Sequence, residues 1–281
     1  MNDPCLRSLR TDCLTERARQ TRRHALRCCR DSVCLFLFGL FAVVADVRAT
    51  SVAAAADLKF ALGAIVAGYE KETGRKVVLA FGSSGNFARQ IPQGAPFDLF
   101  MSADEEYIFR LAEQGLLRDQ GRLYAIGRIA LLARHGSPLA VDGQLLGLAA
   151  ALADGRLQRL AIANPQHAPY GRAARAALEH AGLWQSLQGK LVLGENVAQA
   201  AQFALSGSAQ GGIVAWSLVK APELASLGVA ALIPESWHPP LRQRMALTRR
   251  AGEDASRFYD YLQQPAARAV FERYGFSLPA R

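Results

Sequence analysis

Short apolar runs that favour β-strands alternate with helical stretches over most of the chain. Most of these runs are continuously apolar, as expected for parallel strands that are buried on both faces. Alternation of this kind predicts an α/β fold in which mostly parallel sheets are flanked by helices. The predicted strands cover residues 51–55, 76–81, 97–102, 128–133, 159–163, 190–193, 212–216, 229–233 and 244–248.

Helical spacing fills the intervals between these runs. Leu58, Leu62, Ile65 and Tyr69 recur at helical spacing, and Gly74 is the residue type that most often ends a helix. Further helices are predicted to begin near residues 86, 104, 171 and 196, and two more to cover 253–271 with a break at residue 265.

The first 49 residues differ in character from the rest. Their arginine-rich start is followed by an apolar run at 33–45 and by a small-residue exit at Ala49. These are the features of a secretory signal peptide, so we predict that residues 1–49 are removed near Ala49. An uncleaved anchor is the alternative, although the run is shorter than the roughly 20 apolar residues of a membrane span. The Arg22-Arg23 pair leaves twin-arginine export open beside the general route.

All five cysteines lie in this leader, so the exported part would contain none. That excludes disulfides, thiolate metal sites and cysteine nucleophiles from the mature protein. Removal of the leader also lowers the formal net charge from +9 to +5. A mildly positive field suits an anionic ligand. The basic residues are scattered and no recognition motif accompanies them, which argues against nucleic acid as a partner.

Two segments rich in Gly, Pro or Ser, 135–138 and 237–240, are predicted to carry the chain between two lobes. A chain that leaves one lobe, builds a second and returns would place residues 50–134 and 241–281 in lobe one. Lobe two would then comprise residues 135–240.

Four strand-to-helix junctions are composed mostly of small or hydrogen-bonding residues. They lie at 54–58, 81–86, 164–171 and 194–197. Ligands of open α/β sheets bind beyond the carboxyl ends of the strands. Helix N-termini there offer unpaired N–H groups and a positive dipole end, which together form an anion site. An ordinary helix cap is the alternative at any single junction, but two junctions in each lobe, facing one cleft, favour anion binding.

Five segments carry a family resemblance that spans almost the whole exported part. They are FGSSGNFARQIPQGAPFDLFMSADE (81–105), YAIGRIALLA (124–133), AIANPQHAPYGRAA (161–174), LGENVAQA (193–200) and FYDYLQQPAARAVFERYGF (258–276). In this order they resemble the periplasmic molybdate-binding proteins of ABC importers. The resemblance implies a two-lobed type II periplasmic-binding fold with a ligand cleft between the lobes.

The same resemblance implies a monomeric periplasmic protein that captures molybdate or tungstate. It would deliver the anion to an ABC permease whose ATPase is a separate subunit, and it would have neither enzyme activity nor a cofactor. No side chain would coordinate metal directly, because the metal enters as the oxyanion. Position by position, the resemblance assigns the oxyanion to Ala56, Asp57, Ser84, Tyr170 and Val197, with Ser83, Gly85 and Asn196 in support.

Two positions depart from the family pattern. The family usually has a small hydroxyl or amide residue where this chain has Ala56 and Asp57. A carboxylate facing the cleft would repel a dianion, so we predict that Asp57 instead caps the helix beginning at Leu58 and points away from the ligand. Ala215 replaces the family's tyrosine, which removes a donor that other members have.

Other functions remain open at this stage. The same fold could bind sulfate, phosphate, an organic anion or ferric iron. Sulfate differs from molybdate in size only, because the metal–oxygen bonds of molybdate are longer than the sulfur–oxygen bonds of sulfate by roughly 0.3 Å. The alternative from another class is a serine hydrolase using Ser84, His167 and Asp98, although no GxSxG turn surrounds Ser84. Three arginines near the junctions are predicted to lie on solvated faces or in inter-lobe ion pairs: Arg89, Arg172 and Arg175.

Overall fold

Two five-stranded sheets organise residues 49–279, the part of the chain that the computed structural model describes. The strands are β1 (Thr50–Ala55), β2 (Val77–Gly82), β3 (Leu99–Ser102), β4 (Arg122–Gly127), β5 (Ile129–Arg134), β6 (Leu160–Ala163), β7 (Leu191–Gly194), β8 (Gly211–Ala215), β9 (Gly228–Leu232) and β10 (Leu241–Leu247). The predicted signal peptide lies outside the described residues except for its last position, Ala49. Within 49–279, no helix is both long and apolar enough to cross a membrane.

Helices cover the faces of both sheets. They are α1 (Lys59–Thr73), α2 (Ser84–Gln90), α3 (Glu105–Glu113), α4 (Leu146–Ala153), α5 (Pro169–His180), α6 (Val197–Ser206), α7 (Trp216–Val219), α8 (Pro222–Ala225), α9 (Glu253–Tyr261) and α10 (Pro265–Arg273). As predicted, α1 ends at Gly74, whose φ of 70° is the left-handed conformation that glycine adopts without strain. The predicted α/β class with two lobes is confirmed.

Both sheets repeat one topology. The strand orders are β2-β1-β3-β10-β4 and β7-β6-β8-β5-β9. In each sheet the first three strands are parallel, and the fourth is antiparallel to both of its neighbours. The antiparallel strands, β5 and β10, are the ones formed directly after the chain crosses from the other sheet. We call the first sheet with α1–α3, α9 and α10 the first lobe, and the second sheet with α4–α8 the second lobe.

The first crossing lies earlier than the predicted segment 135–138. Only Arg128 separates β4 of the first sheet from β5 of the second, so residues 129–134 belong to the second lobe rather than to the first. The sequence YAIGRIALLA is an almost continuous apolar run, so neither this boundary nor the strand β4 could be predicted from it. The chain returns to the first sheet over 233–240. An ion pair of 2.7 Å between Arg128 and Glu235 joins the two crossings.

Apolar packing brings the lobes together at the carboxyl ends of their strands. In the first lobe, α1, α9 and α10 cover one face of the sheet, where Phe258 and Phe271 are fully buried. The core of the second lobe extends into the first through Ala55, Ala56 and Ala103, which follow or end β1 and β3. The lobes are therefore closed on each other at the four predicted junctions.

Candidate functional site

The four junctions surround one small cavity between the lobes. Its lining includes all five residues that the family resemblance assigns to the oxyanion, and two of the three supporting ones. The lining residues are Ala55, Ala56, Asp57, Gly82, Ser83, Ser84, Ala103, Ala168, Pro169, Tyr170, Asn196 and Val197. The third supporting residue, Gly85, contacts the second lobe beside the cavity.

The size of this cavity limits what it can hold. Its free volume is only about 10 Å³. Such a space holds about one water molecule, so a bound ligand must be compact and must move the lining residues slightly apart.

Backbone N–H groups at the helix starts provide donors without positive side chains. Ser84, Tyr170 and Val197 each lie in the first turn of a helix, where N–H groups have no intrahelical partner. Among the described residues, none of these three N–H groups donates to another backbone or side-chain acceptor. At Asn196 the side chain instead caps α6 by accepting from the N–H groups of Ala198 and Gln199. The cavity therefore lies at the positive ends of two helix dipoles, those of α5 and α6, and at the first turn of the shorter α2.

The hydroxyl of Ser84 is placed to add a further donor. Ser84 is fully buried, and its Oγ accepts a hydrogen bond of 2.9 Å from the N–H of Ala103. Because this bond uses a lone pair of the oxygen, the hydroxyl proton remains available for a partner inside the cavity.

Asp57 does not cap a helix, contrary to the prediction. It lies inside a short 3-10 turn, Ala56–Leu58, and no side chain caps either this turn or α1. Its Oδ2 instead accepts hydrogen bonds from Tyr170 Oη at 2.9 Å and from Gln243 Nε2 at 2.6 Å. The predicted cap does not form because Tyr170 from α5 and Gln243 from β10 bind the carboxyl group instead.

The surroundings of Asp57 are buried and uncharged. The residue is 1% exposed, and its second carboxyl oxygen, Oδ1, has no hydrogen-bond partner in the described part of the chain. Burial raises the pKa of Asp57 to about 6, and the hydrogen bonds from Gln243 and Tyr170 offset part of that rise. Burial next to this carboxyl group also raises the pKa of Tyr124 and Tyr170 well above its usual value.

This environment predicts that Asp57→Asn stabilises the ligand-free protein at alkaline pH. The folded-state pKa of Asp57 is raised above its ordinary value of 3.8, so the folded protein binds the proton more tightly and loses stability as pH rises from 3.8 to about 6. Asparagine lacks this charge, so we expect the variant to gain roughly 2–3 kcal/mol in the free energy of unfolding at pH 8, and little near pH 4. Urea unfolding of the two proteins at pH 4.5 and pH 8 measures the difference.

The matched control is Asp98→Asn. Asp98 is also buried, but its carboxylate accepts a 2.8 Å hydrogen bond from the N–H of Ser51 and lies 4.0 Å from Arg250. Removing a charge that has such partners should not stabilise the protein at pH 8. An equal gain in both variants would show that burial of Asp57 is not the cause.

Sequence reasoning missed the residues that hold Asp57. Tyr124 Oη donates to Gln243 Oε1 at 2.7 Å, and Ser217 Oγ donates to the backbone oxygen of Asp57 at 2.8 Å. A signal for Gln243 does exist, because it occupies the buried register of β10 between Leu241 and Met245 and is itself 0% exposed. A glutamine at such a position requires buried polar partners.

Positively charged side chains lie around the cavity rather than in it. Arg172 crosses between the lobes to an ion pair with Asp104 and a 2.9 Å hydrogen bond to Tyr107, as predicted for an inter-lobe pair. Arg175 pairs with Glu179 on its own helix. Arg89 bonds Asn86 at the surface. Among the described residues, none that lines the cavity is a lysine or an arginine.

The side chains of the alternative hydrolase are not assembled into a triad. His167 Nδ1 lies 2.9 Å from Ser83 Oγ rather than bonding Ser84, and its other ring nitrogen faces Glu195 at 3.6 Å. Asp98 accepts from the N–H of Ser51 and does not bond His167. The contacts of Ser84, His167 and Asp98 therefore give no support to a nucleophile, base and orienting acid.

Comparisons with known proteins agree with this architecture. Residues 50–277 match the family described as bacterial extracellular solute-binding protein. The chain is 35% identical to the molybdate-binding protein ModA of Azotobacter vinelandii over 85% of this chain and 94% of that protein. It is 33% identical to ModA of Escherichia coli K12, over 84% of this chain and 91% of the other. The solved structure of the periplasmic molybdate-binding protein of Azotobacter vinelandii superposes with a TM-score of 0.75 at 32% identity, covering 82% of this chain and all of that one.

Proposed function

The chain belongs to the bacterial extracellular solute-binding protein family, and from this premise we propose that it binds molybdate between its lobes for an ABC importer. The observation that carries the proposal is the small cavity at which helix starts of both lobes converge without a cationic side chain. The relatives named as molybdate-binding proteins, at 33–35% identity over most of the chain, support the same ligand.

Hydrogen bonding rather than ion pairing would hold the anion. The proposed donors are the Ser84 hydroxyl and the N–H groups of Ser84, Tyr170 and Val197, with the turn at Ala56 and Asp57 on the remaining side. Helix dipoles and oriented N–H groups stabilise an anion without neutralising it. Because these donors contact oxygen atoms, no side chain would ligate the metal, which is cargo rather than a cofactor.

Size and charge select the ligand class. The cavity is small and lined from both lobes, which favours a compact oxyanion over a ligand as large as a phosphorylated sugar. Molybdate and tungstate are nearly equal in size and charge, so we propose that both bind. Sulfate is smaller by roughly 0.3 Å per bond, and a close-packed set of donors that fits molybdate would contact sulfate less well.

Lobe closure would couple binding to delivery. The first lobe contributes Ser84 and the Ala56–Leu58 turn, and the second lobe contributes Tyr170 and Val197, so the anion is enclosed only when the lobes meet. The closed form would present surfaces of both lobes to a membrane permease, with energy from a separate ATPase. We further propose that the protein is a periplasmic monomer, exported by the segment 1–49, and that it catalyses no reaction.

Isothermal titration of the purified protein tests this function. We expect one-to-one binding of molybdate and of tungstate at pH 6.5, with sulfate and phosphate weaker by at least about 100-fold because the donor geometry fits only the larger anion. Sulfate binding as tight as molybdate binding would assign the protein to another oxyanion. Absence of heat with all four anions would contradict the oxyanion function itself.

A further inference from the structure

The unpaired oxygen of Asp57 is the feature of the cavity that a simple set of donors does not explain. Asp57 lines the cavity, yet its buried Oδ1 has no hydrogen-bond partner within residues 49–279. Both protein donors in reach, Tyr170 Oη and Gln243 Nε2, bond the other oxygen, Oδ2. A buried polar atom without a partner is costly, so a bound ligand is the natural partner for Oδ1.

An ionised Asp57 and a dianion cannot be neighbours in this cavity without a proton between them. A carboxylate oxygen accepts hydrogen bonds and donates none, as does each oxygen of molybdate. Two like charges in contact at a buried site strongly disfavour the charged form of the carboxyl group. Because Oδ2 already accepts two hydrogen bonds, a proton on the carboxyl group would reside on Oδ1, from which it can be donated to the anion.

We propose that Asp57 sets the proton content of the complex, so that the protein binds a fully deprotonated oxyanion together with one proton taken up from solvent. This inference rests on the proposed function. The step is a protonation: the carboxylate gains one proton at Oδ1, and the resulting acid donates its hydrogen to an anion oxygen. The bound pair of carboxyl group and anion then carries a net charge of −2 rather than −3.

The groups around Asp57 support this assignment. Burial raises the pKa of the carboxyl group to about 6, so protonating it at neutral pH costs less than protonating an ordinary aspartate, and the side chains that contact the carboxyl oxygens are uncharged. The titratable side chains facing it are Tyr170 from α5 and Tyr124 from β4, both neutral at physiological pH. The charged side chains on the elements packed around Asp57 have other partners or are exposed to solvent. Arg172 pairs with Asp104, and Arg242 and Arg244 pair with Glu105. Lys220 lies over the ring of Trp216, and Lys59 is exposed.

This arrangement would also determine specificity. With Asp57 protonated, the proposed donors present hydrogens to the anion, and no carboxylate remains to accept the hydrogen of an anion that carries its own proton. Hydrogen phosphate would then bind less well for two reasons. Its own hydrogen would lack a carboxylate acceptor, and the anion is smaller than molybdate. With Asp57 ionised, the preference would reverse, because the carboxylate could accept the hydrogen of that anion.

The test is titration with sodium molybdate at pH 6.5, 7.5 and 8.5 in pairs of buffers that differ in protonation enthalpy. We expect about one proton to be taken up per anion at pH 7.5 and above, and the Kd to rise about tenfold per pH unit, since each unit above the free carboxyl pKa costs a tenfold loss of the competent form. Molybdate remains a dianion throughout this range, so the proton must come to the protein.

Asp57→Asn is the diagnostic variant. Its amide oxygen can accept from Tyr170 and Gln243 while its NH₂ takes the place of the protonated Oδ1, so it should bind molybdate with no proton uptake and a flat pH profile. His167 and Glu195 form a second titratable pair near the cavity. We therefore expect His167→Gln and Glu195→Gln to retain the proton uptake of the unchanged protein.

The outcomes separate the two proposals. Tight molybdate binding by the unchanged protein without proton uptake, or an unaltered pH profile in Asp57→Asn, would overturn the role of Asp57 while leaving molybdate binding intact. Tighter binding of phosphate than of molybdate at pH 8.5 would show that the carboxylate acts as an acceptor instead. If neither protein binds molybdate at pH 6.5, the proposed function fails and this inference with it.

Discussion

Replacing Gly85 by alanine is expected to weaken molybdate binding by about 100-fold while each lobe remains folded. A Cβ atom at this position would lie 2.4 Å from the backbone oxygen of His167 in the second lobe and 2.7 Å from Tyr107 Oη. The N–H of Gly85 also donates to that same His167 oxygen at 3.0 Å, so the two backbones meet here directly. Overpacking of this kind costs roughly 1–3 kcal/mol, and the upper end corresponds to about 100-fold in affinity.

The cost should fall on the closed form, because the clash with His167 exists only when the lobes meet. We therefore expect the loss in binding free energy to exceed any loss in the unfolding free energy of the ligand-free protein. Gly63→Ala is the matched control: a Cβ at Gly63, within α1, would have no heavy atom within 4 Å. Equal affinities of the two variants would show that contact at Gly85 does not limit closure.

Ser84→Ala is expected to weaken molybdate binding by about 50-fold. The hydroxyl of Ser84 is the one side-chain donor that the sequence assigns to the anion, and a hydrogen bond to a charged group contributes roughly 1.5–3 kcal/mol. The substitution also leaves the N–H of Ala103 without its 2.9 Å partner. For this reason some loss of stability should accompany the loss of affinity.

Comparison of two measurements separates these effects. Titration calorimetry reports the Kd, and urea unfolding of the ligand-free protein reports the stability. Ser137→Ala is the control, because the Ser137 hydroxyl donates to the backbone oxygen of Gln210, outside the cavity lining. We expect that variant to lose stability without losing affinity. An unchanged Kd in Ser84→Ala would remove the hydroxyl from the set of donors.

Much of the site could be predicted because its components are local. A helix start after a buried strand is defined by a few consecutive residues, and parallel strands direct their carboxyl ends to one edge of a sheet. From the junctions at 54–58, 81–86, 164–171 and 194–197, it follows that one place can collect N–H donors from four turns. The structure brings Ser84, Tyr170 and Val197 to one cavity in this way.

The errors arose where local pattern is ambiguous. The run from Tyr124 to Ala133 favours strand throughout, and nothing in its composition marks the passage from one sheet to the other at Arg128. Similarly, an aspartate just before a predicted helix is a common cap, so the sequence favoured capping at Asp57. In both cases the local sequence is compatible with two structures, and only tertiary contacts decide between them.

The fold class, the alternation of strand and helix, and the junctions at which an anion could bind all followed from local sequence pattern. The chemistry of Asp57 depends on tertiary contacts, because its carboxyl group is held by Tyr170 and Gln243, which are 113 and 186 positions away. Contacts over such separations depend on how the two lobes close and on which β10 residues face inward. Burial by those contacts, rather than any neighbour in sequence, is what raises the pKa of Asp57 and leaves its second oxygen without a protein partner.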